Sequence, residues 1–307
     1  MNYDYDIIVI GAGASGMTAA LYALRGGKSV LVIEKETVGG QISFSPRVEN
    51  FPTIKEISGQ DLSDRLFDQI MDQGVAFELE TVMKIEKLEE KGFKVTTDYH
   101  SYTSKAVIIA AGVKHRHLGL PREQEFIGKG VYYCALCDGA FYEGQEVILI
   151  GDGNSALQYA LYLSNICSKV NVVTLFNYFA GEPMLVNRLK ERANVEIKMG
   201  YASTAFLGEK EFEGVAFKET YGENTMEIRN EAVFVAIGQI PDNKKYENLV
   251  DLDKQGFIVA GEDTLTKTEG VYAAGDCRTK GVRQLTTAVG DGANAAIQAC
   301  NYIDKTF

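Results

Sequence analysis

Apolar residues along this chain gather into short unbroken runs, and several of those runs stop at a glycine. The strand run Asp6 to Ile10 leads straight into Gly11-Ala-Gly13-Ala-Ser15-Gly16. A run that is apolar on both faces predicts a strand covered by helices on both sides, as in a parallel sheet. An alanine-rich helical stretch follows, and then Val30 to Ile33 ends on Glu34. The order is strand, glycine turn, helix, strand. It recurs where Val147 to Ile150 meets Gly151-Asp152-Gly153-Asn154-Ser155-Ala156, with a helix through Leu163 and a strand from Val170 to Leu175. Between the two units, Thr81 to Ile109 alternates and predicts antiparallel strands, Phe93 to Thr97 most clearly. Ala232 to Ile237 reads as a further buried strand closing on Gly238, and the tail holds a glycine turn at Gly275 and a helix of small residues from Asp291 to Tyr302. The predicted fold is α/β, with two Rossmann-like domains, each doubly wound in three layers. One is discontinuous, residues 1–115 and 243–307, and the other, residues 116–242, is inserted into it.

Length and composition agree with this reading. A chain of 307 residues suits two domains of roughly 150 each. The net charge of −11 argues against a nucleic-acid binder, which would carry a basic face. No run approaches the ~18 apolar residues of a membrane helix. The acidic start, Met-Asn-Tyr-Asp-Tyr-Asp, lacks the basic lead of a signal peptide, so a cytoplasmic location is expected. The five cysteines are an odd number and argue against a disulfide framework.

Two places carry chemistry. Gly11-x-Gly13-x-x-Gly16 follows a strand and opens a helix, which lets a backbone approach a pyrophosphate at a helix N-terminus. Glu34 closes the next strand, where a carboxylate accepts ribose hydroxyls and repels a 2′-phosphate. The second place is Cys134-Ala-Leu-Cys137-Asp138. Its spacing leaves a zinc knuckle and a redox dithiol open. Zinc wants a second ligand pair, and Cys167, Cys277, Cys300, His100 and the His115-x-His117 pair do not offer one, so no metal is expected. A dithiol this close closes a disulfide and attacks a partner as a thiolate, with Asp138 beside it to hold or deliver a proton.

These motifs, together with Gly39-Gly40-Gln41, Val48-Glu49-Asn50-Phe51-Pro52, Ala160 to Asn165, Gly270 to Asp276 and Arg283-Gln284, run in order through essentially the whole chain. In them the chain resembles the low-molecular-weight thioredoxin reductases. The resemblance implies a homodimeric FAD enzyme whose disulfide lies on the central domain. It implies Cys137 as the sulfur near the flavin, Cys134 as the one that attacks thioredoxin, and Asp138 as acid/base. It places FAD on Gly11, Gly13, Ala14, Ser15, Gly16, Glu34, Lys35, Gly40, Gln41, Asn50, Val82, Gly112, Asp276, Arg283, Gln284 and Leu285. It also implies that the central domain rotates, so that the disulfide meets flavin and substrate in turn.

The second glycine turn departs from that family. Its NADPH-using members carry a His-Arg-Arg and a further Arg after the second strand, guanidiniums that grip a 2′-phosphate. The three arginine positions here read Leu175, Phe176 and Ala180, and no Lys or Arg lies between Val170 and Met184. No acid stands at that strand end to suit NADH either. Asp152 sits inside the turn, and about 4 Å from a pyrophosphate its charge would cost about 4 kcal/mol at a surface-like dielectric. The expectation is therefore a degenerate site that takes neither NADPH nor NADH, similar to the ferredoxin-dependent flavin thioredoxin reductases. There ferredoxin is the electron donor, and flavin joins one- and two-electron couples. Docking candidates for an acidic ferredoxin are Lys114 to His117, Lys244-Lys245, and Lys280 with Arg283. The alternatives are an ordinary NADPH-dependent thioredoxin reductase and a flavin dithiol oxidoreductase acting on a small molecule. Of the remaining residues, His115-x-His117 reads as a surface pair, Cys277 as a buried small residue, Tyr178-Phe179 as core, and Tyr302 and Phe307 as aromatics available to shield the flavin.

Overall fold

The computed structural model describes residues 2–43, 45, 48–133 and 135–307. Chain contacts divide it into two compact units, Met1–Lys114 with Ile240–Phe307, and His115–Gln239. The sequence had placed the crossings after residues 115 and 242.

The first unit opens with β1 (Tyr5–Ile10), α1 (Ala14–Arg25), β2 (Val30–Glu34), α2 (Gly59–Met71) and β3 (Ala76–Leu79). Then come β4 (Val82–Lys87), β5 (Phe93–Thr97), β6 (Ser101–Ile109) and β7 (Lys114–His115). β1 lies between β2 and β6 and is parallel to both. Its Ile7, Ile8 and Val9 are fully buried, because helices cover one face and a second cluster with Tyr246, Leu249 and Ile258 covers the other. β4 and β5 extend the same sheet as an antiparallel ribbon on β6. That switch matches the change from unbroken to alternating apolar pattern. α2 starts at Ser58, whose hydroxyl accepts from the Asp61 amide at 3.0 Å and donates to the Asp61 carboxylate at 2.7 Å, a side-chain cap that satisfies a free helix donor.

The second unit holds α3 (Glu123–Phe126), β8 (Val131–Tyr132), α4 (Ala135–Asp138), β9 (Glu146–Ile150), α5 (Asn154–Ile166), β10 (Lys169–Thr174), α6 (Pro183–Lys190) and β11 (Val195–Met199). After these come β12 (Tyr201–Leu207), β13 (Gly214–Glu219), β14 (Thr225–Arg229), β15 (Val233–Val235) and β16 (Gln239–Ile240). A parallel sheet in the order β11-β10-β9-β15-β8 forms its middle layer. Leu149, Val172 and Phe234 pack on Ala160 and Leu163 of α5 on one face. Ile148, Val173 and Val233 pack on Val215 and Phe217 of the antiparallel sheet β12-β13-β14 on the other.

The returning chain adds β17 (Val271–Ala273) to the free side of β6 and ends in α7 (Leu285–Thr306). α7 begins upstream of the predicted Asp291, because Gln284 and Thr287 form a reciprocal cap on its first turn. Its small residues let it cross α1 closely; a Cβ on Gly292 would lie 2.2 Å from the Ser15 carbonyl oxygen. Among the described residues no helix is long and apolar enough to cross a membrane.

Candidate active site

In the first unit the glycine turn is built by steric necessity. Gly11 has φ +105°, and a Cβ there would lie 2.4 Å from the Ala110 carbonyl oxygen; on Gly16 it would meet the Gly11 oxygen at 1.8 Å. The turn delivers α1 with Gly13 as a cap that has no side-chain bond, so the first-turn amides stay open to a ligand. Glu34 is buried and braces the turn. One oxygen accepts the Ala12 amide at 2.8 Å, and the other accepts the Lys35 and Glu36 amides at 2.8 and 2.9 Å. An ionised carboxylate has about four acceptor positions, so one remains for a ribose hydroxyl. Gly40 lies against this cradle; its Cβ would be 3.5 Å from the Gly13 Cα. Lys35 contributes its backbone, while its ammonium faces Glu36 at 3.4 Å.

The far end of the chain completes the same site. Gly275, at φ +82°, sits so close to Ser15 that a Cβ would be 2.9 Å from the Ser15 Cβ. Two oxygens here, Ser15 Oγ and Asp276 Oδ1, are shielded from water and have no partner among the described residues. Burial pushes the Asp276 carboxyl above the usual carboxylate range, with Lys280 and Arg283 opposing the shift. Orphaned oxygens are costly unless a ligand satisfies them. A hydroxyl-rich, phosphate-bearing group such as FAD fits this donor set, and when bound it supplies two-electron redox chemistry at the flavin ring. Asn50 donates to Gln284 Oε1 at 3.1 Å, and Leu285 packs on Val48, Ile57 and Leu62. Arg283 stacks over Phe257 at 4.0 Å, Val82 is buried, Gly112 adopts φ +62° with open space around it, and Gln41 lies in the short turn Gly40–Ile42.

In the second unit the predicted redox segment leaves β8 and forms α4. Cys134 lies outside the described residues, as does the side chain of Cys137. Asp138 ends α4 half-buried, and burial pushes its carboxyl up, the direction that suits a proton donor at neutral pH. Gly139 places the segment against α5; a Cβ there would lie 2.9 Å from Leu163. One residue before Cys134, the Tyr133 hydroxyl donates to Glu123 and lies 2.9 Å from His117 Nδ1. Glu123 is buried and accepts the Leu118 and Gly119 amides at 2.8 and 2.7 Å. His115 stacks on the same Tyr133 ring at 6.0 Å, and burial pushes its imidazole down. The His-x-His pair is thus part of a side-chain network rather than free surface, because Tyr133, just past the end of β8, meets it.

The second glycine turn keeps its backbone. Gly151 has φ +150°, and a Cβ would lie 2.2 Å from the Ala236 carbonyl oxygen. Asp152 in the turn is half-buried, which pushes its carboxyl up. At the end of β10 Phe176 and Tyr178 stack on one another at 5.4 Å, and both are exposed, as is Leu175. Tyr178 is therefore surface where core was expected; only Phe179 packs into the unit.

Several surface expectations need correcting. The Lys280 side chain is only 3% exposed and ion-pairs with Asp291 at 3.0 Å, so it forms no free basic patch with Arg283. Lys114 faces Asp242 at 3.5 Å, and Lys245 donates to the Val82 carbonyl oxygen at 3.3 Å. Tyr302 packs edge-on against Phe307, and Phe307 in turn against Tyr3. The reading of Cys277 as a buried small residue stands: it is fully buried, and burial raises its thiol to about 12.

Residues 5–292 match the family model described as pyridine nucleotide-disulphide oxidoreductase. A 34.2 kDa protein in the rubredoxin operon of Clostridium pasteurianum is 38% identical over 298 residues, covering 97% of each chain. The thioredoxin reductase of Bacillus subtilis is 36% identical over 303 residues, covering 98% of this chain and 95% of its own. The crystal structure of Lactococcus lactis thioredoxin reductase superposes with TM-score 0.95 at 31% identity, covering 98% of this chain and 100% of its own. The chain belongs to the pyridine nucleotide-disulphide oxidoreductase family, and its fold is that of the thioredoxin reductases. None of these relatives points to the ferredoxin-dependent branch that the missing arginines had suggested.

Proposed function

We propose that this member of the pyridine nucleotide-disulphide oxidoreductase family is an FAD-dependent thioredoxin reductase, working as a homodimer, with Cys134 and Cys137 as its redox pair. The observation that carries the reading is the pair of orphaned oxygens, Ser15 Oγ and Asp276 Oδ1, beside an uncapped glycine turn. Near-full-length identity to proteins named thioredoxin reductase supports the substrate. In the proposed reaction the Cys134 thiolate attacks the thioredoxin disulfide, one thioredoxin sulfur leaves, and Asp138 gives that sulfur its proton. The Cys137 thiolate then attacks Cys134, closing the Cys134–Cys137 disulfide and releasing the second thioredoxin sulfur as a thiolate, which takes its proton from solvent. Cys134→Ser is expected to leave flavin reduction intact and abolish thioredoxin turnover, whereas Cys137→Ser breaks the flavin-to-disulfide step. Thioredoxin turnover by both variants would overturn the assignment.

The relatives favour a pyridine nucleotide, NADPH above all, as the electron donor. One observation favours a second reading, reduced ferredoxin: the exposed end of β10 offers Leu175 and Phe176 where a 2′-phosphate needs cations. Anaerobic flavin absorbance decides between them. Prompt bleaching by NADPH establishes the first reading. Bleaching by reduced ferredoxin with no response to NADPH or NADH establishes the second.

A further inference from the structure

Asp291 lies in the second turn of α7, flanked by Gly290 and Gly292 in a stretch of small residues. Its carboxylate is 4% exposed and meets two side chains that are equally hidden, Arg278 at 1% and Lys280 at 3%. One oxygen, Oδ2, accepts the Gly275 amide at 2.9 Å, Arg278 Nε at 2.8 Å and Lys280 Nζ at 3.0 Å; the other, Oδ1, accepts Arg278 Nη2 at 2.7 Å. These partners hold the carboxyl well below the usual carboxylate range against its burial. The next residue, Gly292, is where α7 touches the Ser15 carbonyl oxygen of α1. Asp291-Gly292 therefore meets, at one point, the two segments that carry the orphaned oxygens, the start of α1 and the Gly275–Asp276 turn.

Burying two cations on one carboxylate is an expensive way to hold a loop, since hydrophobic groups of the same size commonly hold a fold as well or better. What hydrophobic groups cannot do is bond the Gly275 amide and so fix the turn that presents Asp276. We propose that Asp291 is a positioning residue for the flavin nucleotide: through Gly275 and Arg278 it sets the Asp276 carboxyl opposite Ser15 in the geometry that binds FAD. The proposal rests on the FAD reading above.

The test is FAD affinity of the full-length apoprotein, followed by quenching of flavin fluorescence, beside its melting temperature. Asp291→Asn should weaken FAD binding at least tenfold. The discriminating variant is Arg278→Met/Lys280→Met/Asp291→Leu, which removes the three buried charges together and leaves only the exposed Glu262, 3.1 Å from Arg278, without its partner. Its melting temperature should return toward the wild-type value while FAD binding stays at least tenfold weaker. FAD affinity that recovers along with the melting temperature would make the cluster merely structural and overturn the proposal. Should both variants fail to fold, Asp291→Glu decides: it keeps the charge and both cations but moves the carboxylate off the Gly275 amide, so it should weaken FAD severalfold, and an unchanged affinity overturns the proposal. A wild-type apoprotein that takes up no FAD at all would instead refute the flavin reading itself.

Discussion

The two glycine turns share a backbone and differ in what surrounds it. Each has a first glycine whose Cβ would strike a carbonyl oxygen of a neighbouring strand, Ala110 in one unit and Ala236 in the other. Each hands over to a helix capped by a glycine with no side-chain bond. At the strand end the likeness stops. Glu34 is folded back onto its turn through the Ala12 amide. In the second unit the Thr174 hydroxyl donates instead to the Phe176 carbonyl oxygen at 2.6 Å, and the side chains beyond it are apolar and exposed. Backbone sterics thus fix where a dinucleotide can lie, while the strand-end residue and the second turn position choose which one. These two properties vary independently, and here only the second has diverged.

The largest effects should come from the shared part. Gly11→Ala and Gly151→Ala each force a side chain into a positive-φ position against a carbonyl oxygen, and each should cost more than about 2 kcal/mol. Thermal unfolding measures that cost. Flavin absorbance per chain should separate the two, with Gly11→Ala isolated without flavin and Gly151→Ala retaining it. Loss of flavin from both would break the assignment of FAD to the first turn alone.

Next in size is Asp138→Asn. In its proposed role Asp138 is a general acid, whose removal lowers turnover by about 100-fold or more, so thioredoxin reduction should fall by that order with flavin content unchanged. Stability should move the other way. Burial raises the Asp138 carboxyl above its ordinary 3.8, so the folded state binds this proton more tightly than the unfolded chain does. The stabilisation is full below the unfolded value and is lost as pH rises through the folded one. Asn carries no charge, and the variant should be more stable than the native protein at pH 7. The gap should close as pH falls through the raised value toward 3.8. Urea unfolding at several pH values checks the sign.

What the sequence disclosed, and what it hid, follow from how local each signal is. β1, its glycine turn and Glu34 are contiguous or one strand apart, and the apolar run shows that both faces of β1 are covered. The start of α7 was misplaced because Gln284 and Thr287 cap it through side chains that carry no apolar period. Asp291 reads as a polar helix start; only the fold reveals that its partners come from the preceding loop. For the same reason Lys280 reads as a surface cation. Tyr133, Glu123 and His117 meet from separate segments, and nothing in the spacing of any one of them announces the others. An isolated acid within a helix of small residues was the one available hint, since burying such a carboxylate requires partners.

The smallest effect concerns the diverged part of the comparison. If strand-end chemistry alone sets the preference of the second turn, Leu175→Arg/Phe176→Arg should suffice to install NADPH binding. The structure argues that it does not. Asp152 is half-buried in the turn, and its charge opposes a pyrophosphate whatever stands at the end of β10. The double arginine variant should therefore tighten NADPH by less than about threefold, whereas adding Asp152→Gly should bring the gain to about tenfold, roughly 1.4 kcal/mol. Titration of each variant with NADPH and with NADH reads the difference, because the arginines act on the 2′-phosphate and should leave NADH unmoved, while Asp152→Gly should tighten both. A full NADPH gain from the arginines alone would show that Asp152 points away from the ligand, and that the second turn needs only its strand end repaired.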